Sequence, residues 1–298
     1  MRYKKIQNEV TELFKNDFKD SNELFDLNNY LKKSYTKAQN DIYTLIPEHV
    51  FLLEQATTLM LLFSNYISHA SGNNQKNAFN AQISRTLNSL ISARELLLNG
   101  FEDTARVISR NFIESLEISL AILIDEDFAN DFFGDDGIEF NILWKNKIGY
   151  GKIYKYIKQA LKLANISDND SNNYIQQHKN IKNTLSSSVH ADEAGAFFSM
   201  LVPILGYPDM YSLTKHGVIS YHTPNHINML IHEIHSFFGI FINCFINNKI
   251  KFLNDISKDN PDLKAFFDYA ILFQDILTKY DLPDGNDIVA EDYSKKVN

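Results

Sequence analysis

Apolar residues recur along most of this chain at intervals of three and four, the spacing of one face of an α-helix. Residues 3–15 fit a short amphipathic helix. Asn22–Ile46 fits a second, with Leu24, Phe25, Leu27, Tyr30, Leu31 and Tyr35 at helical spacing. Pro47 opens a third, since proline suits a first helical turn, and that helix is apolar nearly all round until Ser71-Gly72 stops it. Gln75–Asn99 follows, with Phe79, Ile83, Leu87, Leu90, Ile91 and Leu97 on its inner side. Asn99-Gly100 makes a tight turn, and Glu102-Asp103-Thr104 begins a long helix to about Ile124, acidic at its start as the helix dipole favours. The spacing therefore predicts a central antiparallel helical hairpin over about 75–124.

Beyond it the pattern loosens. Asp125–Gly137 reads as an acidic loop with a short helical piece; its spacing does not fit an EF-hand. Residues 138–166 give a good helix in their second half, after a break at Gly149-Tyr150-Gly151. Asp168–Ser171 reads as a turn and Asn172–Ser187 as a helix. From His190 to Thr223 periodicity is weak, and the segment KHGVISYHT suits a short strand or an extended loop. The longest predicted helix runs from about Asn225 to Ser257, and another from Pro261 to Tyr280. The expectation is an all-α, multi-helix bundle, one domain over residues 1–280, with a polar, frayed tail over 281–298.

Composition agrees: 44% hydrophobic and 22% charged residues are ordinary globular values, and only 11 Gly and 6 Pro in 298 residues leave few breaks. The net charge of −8 excludes coating of nucleic acid by bulk charge, though not a local basic groove. The single cysteine, Cys244, can form no intrachain disulfide and fits a reducing compartment. The start, MRYKKIQNEVTELF, is too polar for a signal peptide, and contiguous apolar runs fall short of the ~18 residues of a membrane helix. A cytoplasmic protein with no membrane contact is expected, and a homo-oligomer, with a long apolar helix such as Asn225–Ser257 covered by a second copy.

One stripe on the hairpin's second helix breaks the apolar pattern. Arg106, Arg110, Glu114 and Glu117, at offsets of 0, 4, 8 and 11 residues, fall within roughly 80° of one another. Arg85 and Arg94 on the preceding helix are candidates for the same side. Two readings apply: a structural ion network, or an anion site in which Glu114 orients an arginine toward a phosphate. The segment Leu185–Asp192 supplies His190 as an acid–base candidate and Ser187 and Ser188 as phosphate-binding or capping groups; no G-x-S-x-G elbow supports a serine hydrolase. His216, His222, His226, His232 and His235 cluster without metal-ligand spacing, so no metal is assigned. Lys145, Lys147, Lys152, Lys155, Lys158 and Lys162 interleave with Trp144, Tyr150, Tyr154 and Tyr156, which suits either a solvated face or single-stranded RNA. No P-loop, dinucleotide fingerprint or zinc-finger spacing calls for a cofactor.

The run LLLNGFEDTARVISRNFIESLEI, followed by TLSSSVHAD, resembles a bacterial group of helical proteins linked with abortive infection and phage defence. These carry an A-x3-R-x3-E hairpin before an LS-x2-VH segment, and some look like distant relatives of HEPN ribonucleases. The likeness covers roughly residues 75–195. It implies a helical bundle and, in its catalytic form, a metal-independent ribonuclease. The HEPN motif is an arginine, a polar residue, four more residues and a histidine; Arg110-Asn111 supplies the start, but Leu116 stands at the histidine position. The resemblance then implies either a non-catalytic scaffold or sensor, or a nuclease or toxin in which His190 joins Arg110 and Glu114 from another helix.

Overall fold

The computed structural model describes residues 27–68, 72–133, 140–189, 202–205, 207–212, 217–253 and 261–279, with positions 4, 5, 12 and 282 besides. Ten helices account for most of it: α1 (Leu27–Leu45), α2 (Pro47–Ser68), α3 (Asn74–Leu98), α4 (Glu102–Ile124), α5 (Glu126–Phe133), α6 (Phe140–Leu143), α7 (Tyr154–Leu163), α8 (Asp168–Val189), α9 (Thr223–Ile246) and α10 (Pro261–Lys279). A π-helical turn, Trp144–Ile148, continues α6. A small antiparallel hairpin, β1 (Val202–Ile204) with β2 (Tyr207–Ser212), lies in the stretch of weak periodicity. The fold is an all-α bundle. The helix expected over residues 3–15, the tail from 281, His190 and His216 fall wholly or largely outside the described residues.

The α3–α4 hairpin is its centre. α4 packs on α3 and also against α5, α7, α8 and α9. This explains its composition: a helix enclosed on several sides is apolar on several sides, and Phe112, Ile113, Leu116, Leu120, Ala121, Ile122 and Leu123 are all buried. A second layer forms where α2 meets α3, α9 and α10. Phe63 of α2 is its hub. Its ring lies 4.7 Å from Phe241 and 5.1 Å from both Phe238 and Phe266, centroid to centroid, within the range of favourable aromatic pairs.

Helix ends differ from expectation where a local cap outweighs the periodicity. α9 stops at Ile246, well short of Ser257. Asn248 takes a left-handed backbone (φ 52°), its N–H donates to the Phe245 carbonyl, and the Lys249 N–H reaches back to Cys244. These two bonds make a Schellman cap on asparagine. α8 starts earlier than expected. Its Asp168-Asn169-Asp170 is no turn but a first helical turn, capped by Ser167, whose Oγ accepts from the Asp170 N–H at 3.2 Å and donates to the Asp170 carboxylate at 2.6 Å.

The central turn is set by glycine. Gly100 sits at φ 74°, and a Cβ there would lie 2.7 Å from the Val218 nitrogen and 2.8 Å from Gly217 Cα. Gly217 in turn sits at φ 84° against the Ser34 carbonyl of α1. Gly100→Ala combines a disfavoured φ with a backbone collision, so a loss of roughly 1–3 kcal/mol is expected. A denaturant melt reads it, and an unchanged midpoint would remove the turn from the determinants of the fold.

Two helices bear on the expectation of no membrane contact. α2 (22 residues) and α9 (24 residues) are each long and apolar enough to cross a membrane by length and composition, and half of the most apolar stretch of each is buried inside the bundle. Contiguous runs missed them because single polar residues, such as Glu54 in α2 and Glu233 in α9, interrupt both. α9, the helix expected to be covered by a second copy, buries part of its apolar surface inside the chain, against α2, α4 and α7.

Candidate functional site

The charged stripe on α4 does not act as one unit. Its charges are paired locally: two of the pairs lie within α4 itself, and Arg110 and Glu117 both reach α8. Arg106 Nη2 donates to Glu102 Oε1 at 3.0 Å, one turn back. Arg110 Nε donates to Glu114 Oε1 at 3.1 Å, and its Nη1 donates to Ser186 Oγ on α8. Of the serines flagged by sequence, Ser187 and Ser188 occupy the last turn of α8; the hydroxyl that meets Arg110 is the neighbouring Ser186. Arg94 does not join the stripe. It pairs with Glu54 of α2 at 2.7 Å and with Glu95 beside it, because α3 turns that side chain toward α2. Arg85 crosses instead to Asn111 Oδ1 at 3.3 Å. Leu116, at the position where the nuclease motif has histidine, is 2% exposed and part of the core.

Glu117 is the centre of a buried polar cluster. Its Oε2 accepts from Lys182 Nζ at 2.6 Å, and its Oε1 lies 3.3 Å from His178 Nδ1, both on α8. The far side of the same imidazole meets α9: His178 Nε2 is 3.0 Å from Glu233 Oε2, an ion-pair contact without hydrogen-bond alignment. Tyr174 covers the ring, centroids 4.2 Å apart, and the Lys182 ammonium sits 4.7 Å from the centre of the Tyr154 ring. His178, Glu117 and Glu233 are all buried. Burial disfavours the imidazolium, but the hydrogen bond to Glu117 and the charges of both glutamates outweigh it and hold His178 up at about 9. The cluster is thus two carboxylates against two cations, neutral in sum, joining α4, α8 and α9.

A second buried cluster closes the other end of α4. Glu102 accepts from Thr223 Oγ1 at 2.9 Å and from Ser220 Oγ, besides Arg106. Burial pushes its carboxyl up; the Arg106 and His226 charges and the two hydroxyls prevail and bring it below its usual value. Nearby, Ser109 Oγ and His226 Nε2 are 2.8 Å apart. That is the separation of a nucleophile and its base. Ser109, however, is 0% exposed, so no substrate carbonyl reaches it, and burial drives His226 down to about 4, with Arg106 adding to the effect against Glu102. The pair is a hydrogen bond inside the core.

The other candidates separate. His226 is buried, His232 is exposed, and His235 bonds Gln274 of α10, so these three histidines face three environments. Among the described residues no three His, Cys, Asp or Glu side chains converge as metal ligands. Of the aromatics interleaved with lysines, Tyr156 is core, 4.9 Å from Phe128. Tyr154 faces Lys179 and Lys182 of α8 rather than the lysines of its own helix. Lys147 is tied to Asp131. Lys152, Lys155, Lys158 and Lys162 remain exposed, as do Trp144 and Tyr150.

Sequence reasoning flagged Glu117 but missed His178, Lys182, Glu233 and Glu102. The available signal was spacing: His178 and Lys182 are four apart on α8, the interval that puts both on one face. No protein-family model, curated protein or solved structure matches this chain, so the resemblance to defence-linked helical proteins rests on the residues that carry it.

Proposed function

We propose that this chain is a non-catalytic helical scaffold or sensor, whose arginine–glutamate stripe ties helices together rather than handling a substrate. One observation carries this reading: the charges of the stripe are matched within the chain, Arg106 by Glu102, Arg110 by Glu114 and Glu117 by Lys182 and His178. An arginine waiting for a phosphate keeps its guanidinium fork free; that of Arg110 is already shared between a carboxylate and a hydroxyl. The resemblance to defence-linked bacterial proteins supplies the context, a module that holds or senses a partner during phage infection.

The test is direct. Purified protein is incubated with structured and unstructured RNA without metal, beside the Arg110→Ala and His190→Ala variants. The scaffold reading expects no cleavage above buffer by any of the three, together with a lower melting temperature for Arg110→Ala. Cleavage that Arg110→Ala and His190→Ala both abolish would replace it with the nuclease reading.

A further inference from the structure

Between Glu139 and Asp168 the chain carries six lysines and no acidic residue, inside a protein of net charge −8. Two backbone irregularities stand at the head of this segment. Trp144 opens a π-helical turn, and Tyr150, between two glycines, holds a left-handed backbone at φ 55°. A bulky aromatic residue at positive φ is a genuine outlier, and such outliers and π-turns concentrate at functional sites. Here both have one consequence: they put two aromatic rings into solvent. Tyr150 is 82% exposed and Trp144 39%. The rings meet edge to face, 5.4 Å apart. Gly149 leaves room for the indole, since a Cβ there would lie 2.6 Å from it.

The cations lie along the same path. Lys152 Nζ folds back to the Lys145 carbonyl at 2.6 Å, which keeps its ammonium on the turn that bears Trp144. Lys155, Lys158 and Lys162, at i, i+3 and i+7, form one exposed face of α7, which follows directly. Asn172 is the bonded neighbour of Lys158, and the Lys155 ammonium rests 4.5 Å from the Tyr156 ring. Neither contact cancels a charge. Exposed aromatic faces beside a row of uncancelled cations are what unpaired bases and their phosphates require, whereas a duplex hides its base faces.

We infer that the surface formed by Trp144, Tyr150 and the lysines 145, 152, 155, 158 and 162 binds single-stranded nucleic acid, the two rings stacking on bases and the lysines following the backbone phosphates. Local charge complementarity selects this occupant within an otherwise acidic protein. The surface shares no residue with the Arg110 stripe, so binding without cleavage is its expected behaviour.

Trp144 is the sole tryptophan, so intrinsic fluorescence reads the site without a label. The full chain is titrated with oligouridylate, oligothymidylate, a duplex of equal length and polyglutamate, with anisotropy of labelled oligomers as a second readout. Either single strand, or both, should quench Trp144. Tyr150→Gly, which also relieves the left-handed backbone, should weaken binding about 5- to 100-fold, the loss of one stacked base. Lys158→Gln with Lys162→Gln should lower the slope of log K against log salt by about 0.7 for each phosphate that the variant no longer neutralises. Three outcomes overturn the inference: no quenching by either single strand at low salt, equal quenching by duplex or polyglutamate, or wild-type affinity in both sets of variants.

Discussion

Glu117→Ala is expected to lower the stability of this protein by about 3–5 kcal/mol, the usual cost of leaving a buried cation without its partner. Removing the carboxylate strands two charges at once: the Lys182 ammonium, now 2.6 Å from it, and the His178 imidazolium, at 3.3 Å. Glu233 still faces His178, but on the ring's other nitrogen. Lys182 can retreat toward Tyr154, whose ring it already touches; the imidazole is fixed by Tyr174 and cannot. For a chain of this size the melting temperature should fall by on the order of 10 °C. The double variant Glu117→Ala/Lys182→Ala should be less destabilised than the sum of the two singles, by roughly 1–3 kcal/mol, because each side chain is costly chiefly in the absence of the other. Additive effects would mean that the two side chains stabilise the bundle independently and that the cluster is not a unit.

The sequence made the stripe visible and left its partners hidden, for a physical reason. Spacing along one helix reports which residues share a face, so Arg106, Arg110, Glu114 and Glu117 stood out against an apolar background. It says nothing about which residue of another helix comes opposite, because that depends on crossing angles and on where each helix begins. α8 begins at Asp168, and its sequence, DNDSNNYIQQHKNIKNTLSSSV, looks like a solvated helix. Nothing in that composition marks His178 for burial between two glutamates. Glu233 lies between His232 and His235 in sequence, and of the three it is the one that reaches the core cluster. The hairpin and most helix interiors were legible because many residues vote on a period. The misread ends were those decided by one or two groups: Asn248 in a left-handed cap, Ser167 as a side-chain cap, and the π-turn at Trp144, which leaves no periodic trace.

Two of the buried histidines, His178 and His226, should give the protein a stability optimum near neutral pH, with limbs of different origin. His178 has a folded value of about 9 against the ordinary 6.5. A raised value means that the folded state holds the proton more tightly than the unfolded chain. Its contribution is complete below about 6.5 and is lost as pH rises through 9, a difference of roughly 3 kcal/mol. His226 runs the other way. Its folded value is about 4, so the folded state resists protonation. Its contribution is present above 6.5 and is lost as pH falls toward 4. Glu102, held below the usual carboxylate value by Arg106, His226 and two hydroxyls despite its burial, adds to the acid limb with the same sign. Urea melts from pH 4 to 10 should therefore trace a dome, and variants should remove one side at a time. His178→Gln should flatten the alkaline limb and lower the plateau near pH 6.5, while leaving the acid fall in place. His226→Gln should shrink the acid limb and leave the alkaline one unchanged. A His178→Gln protein that still loses stability between pH 7 and 9 as the wild type does would place the alkaline transition on another group and disprove the imidazolium at the junction of α4, α8 and α9.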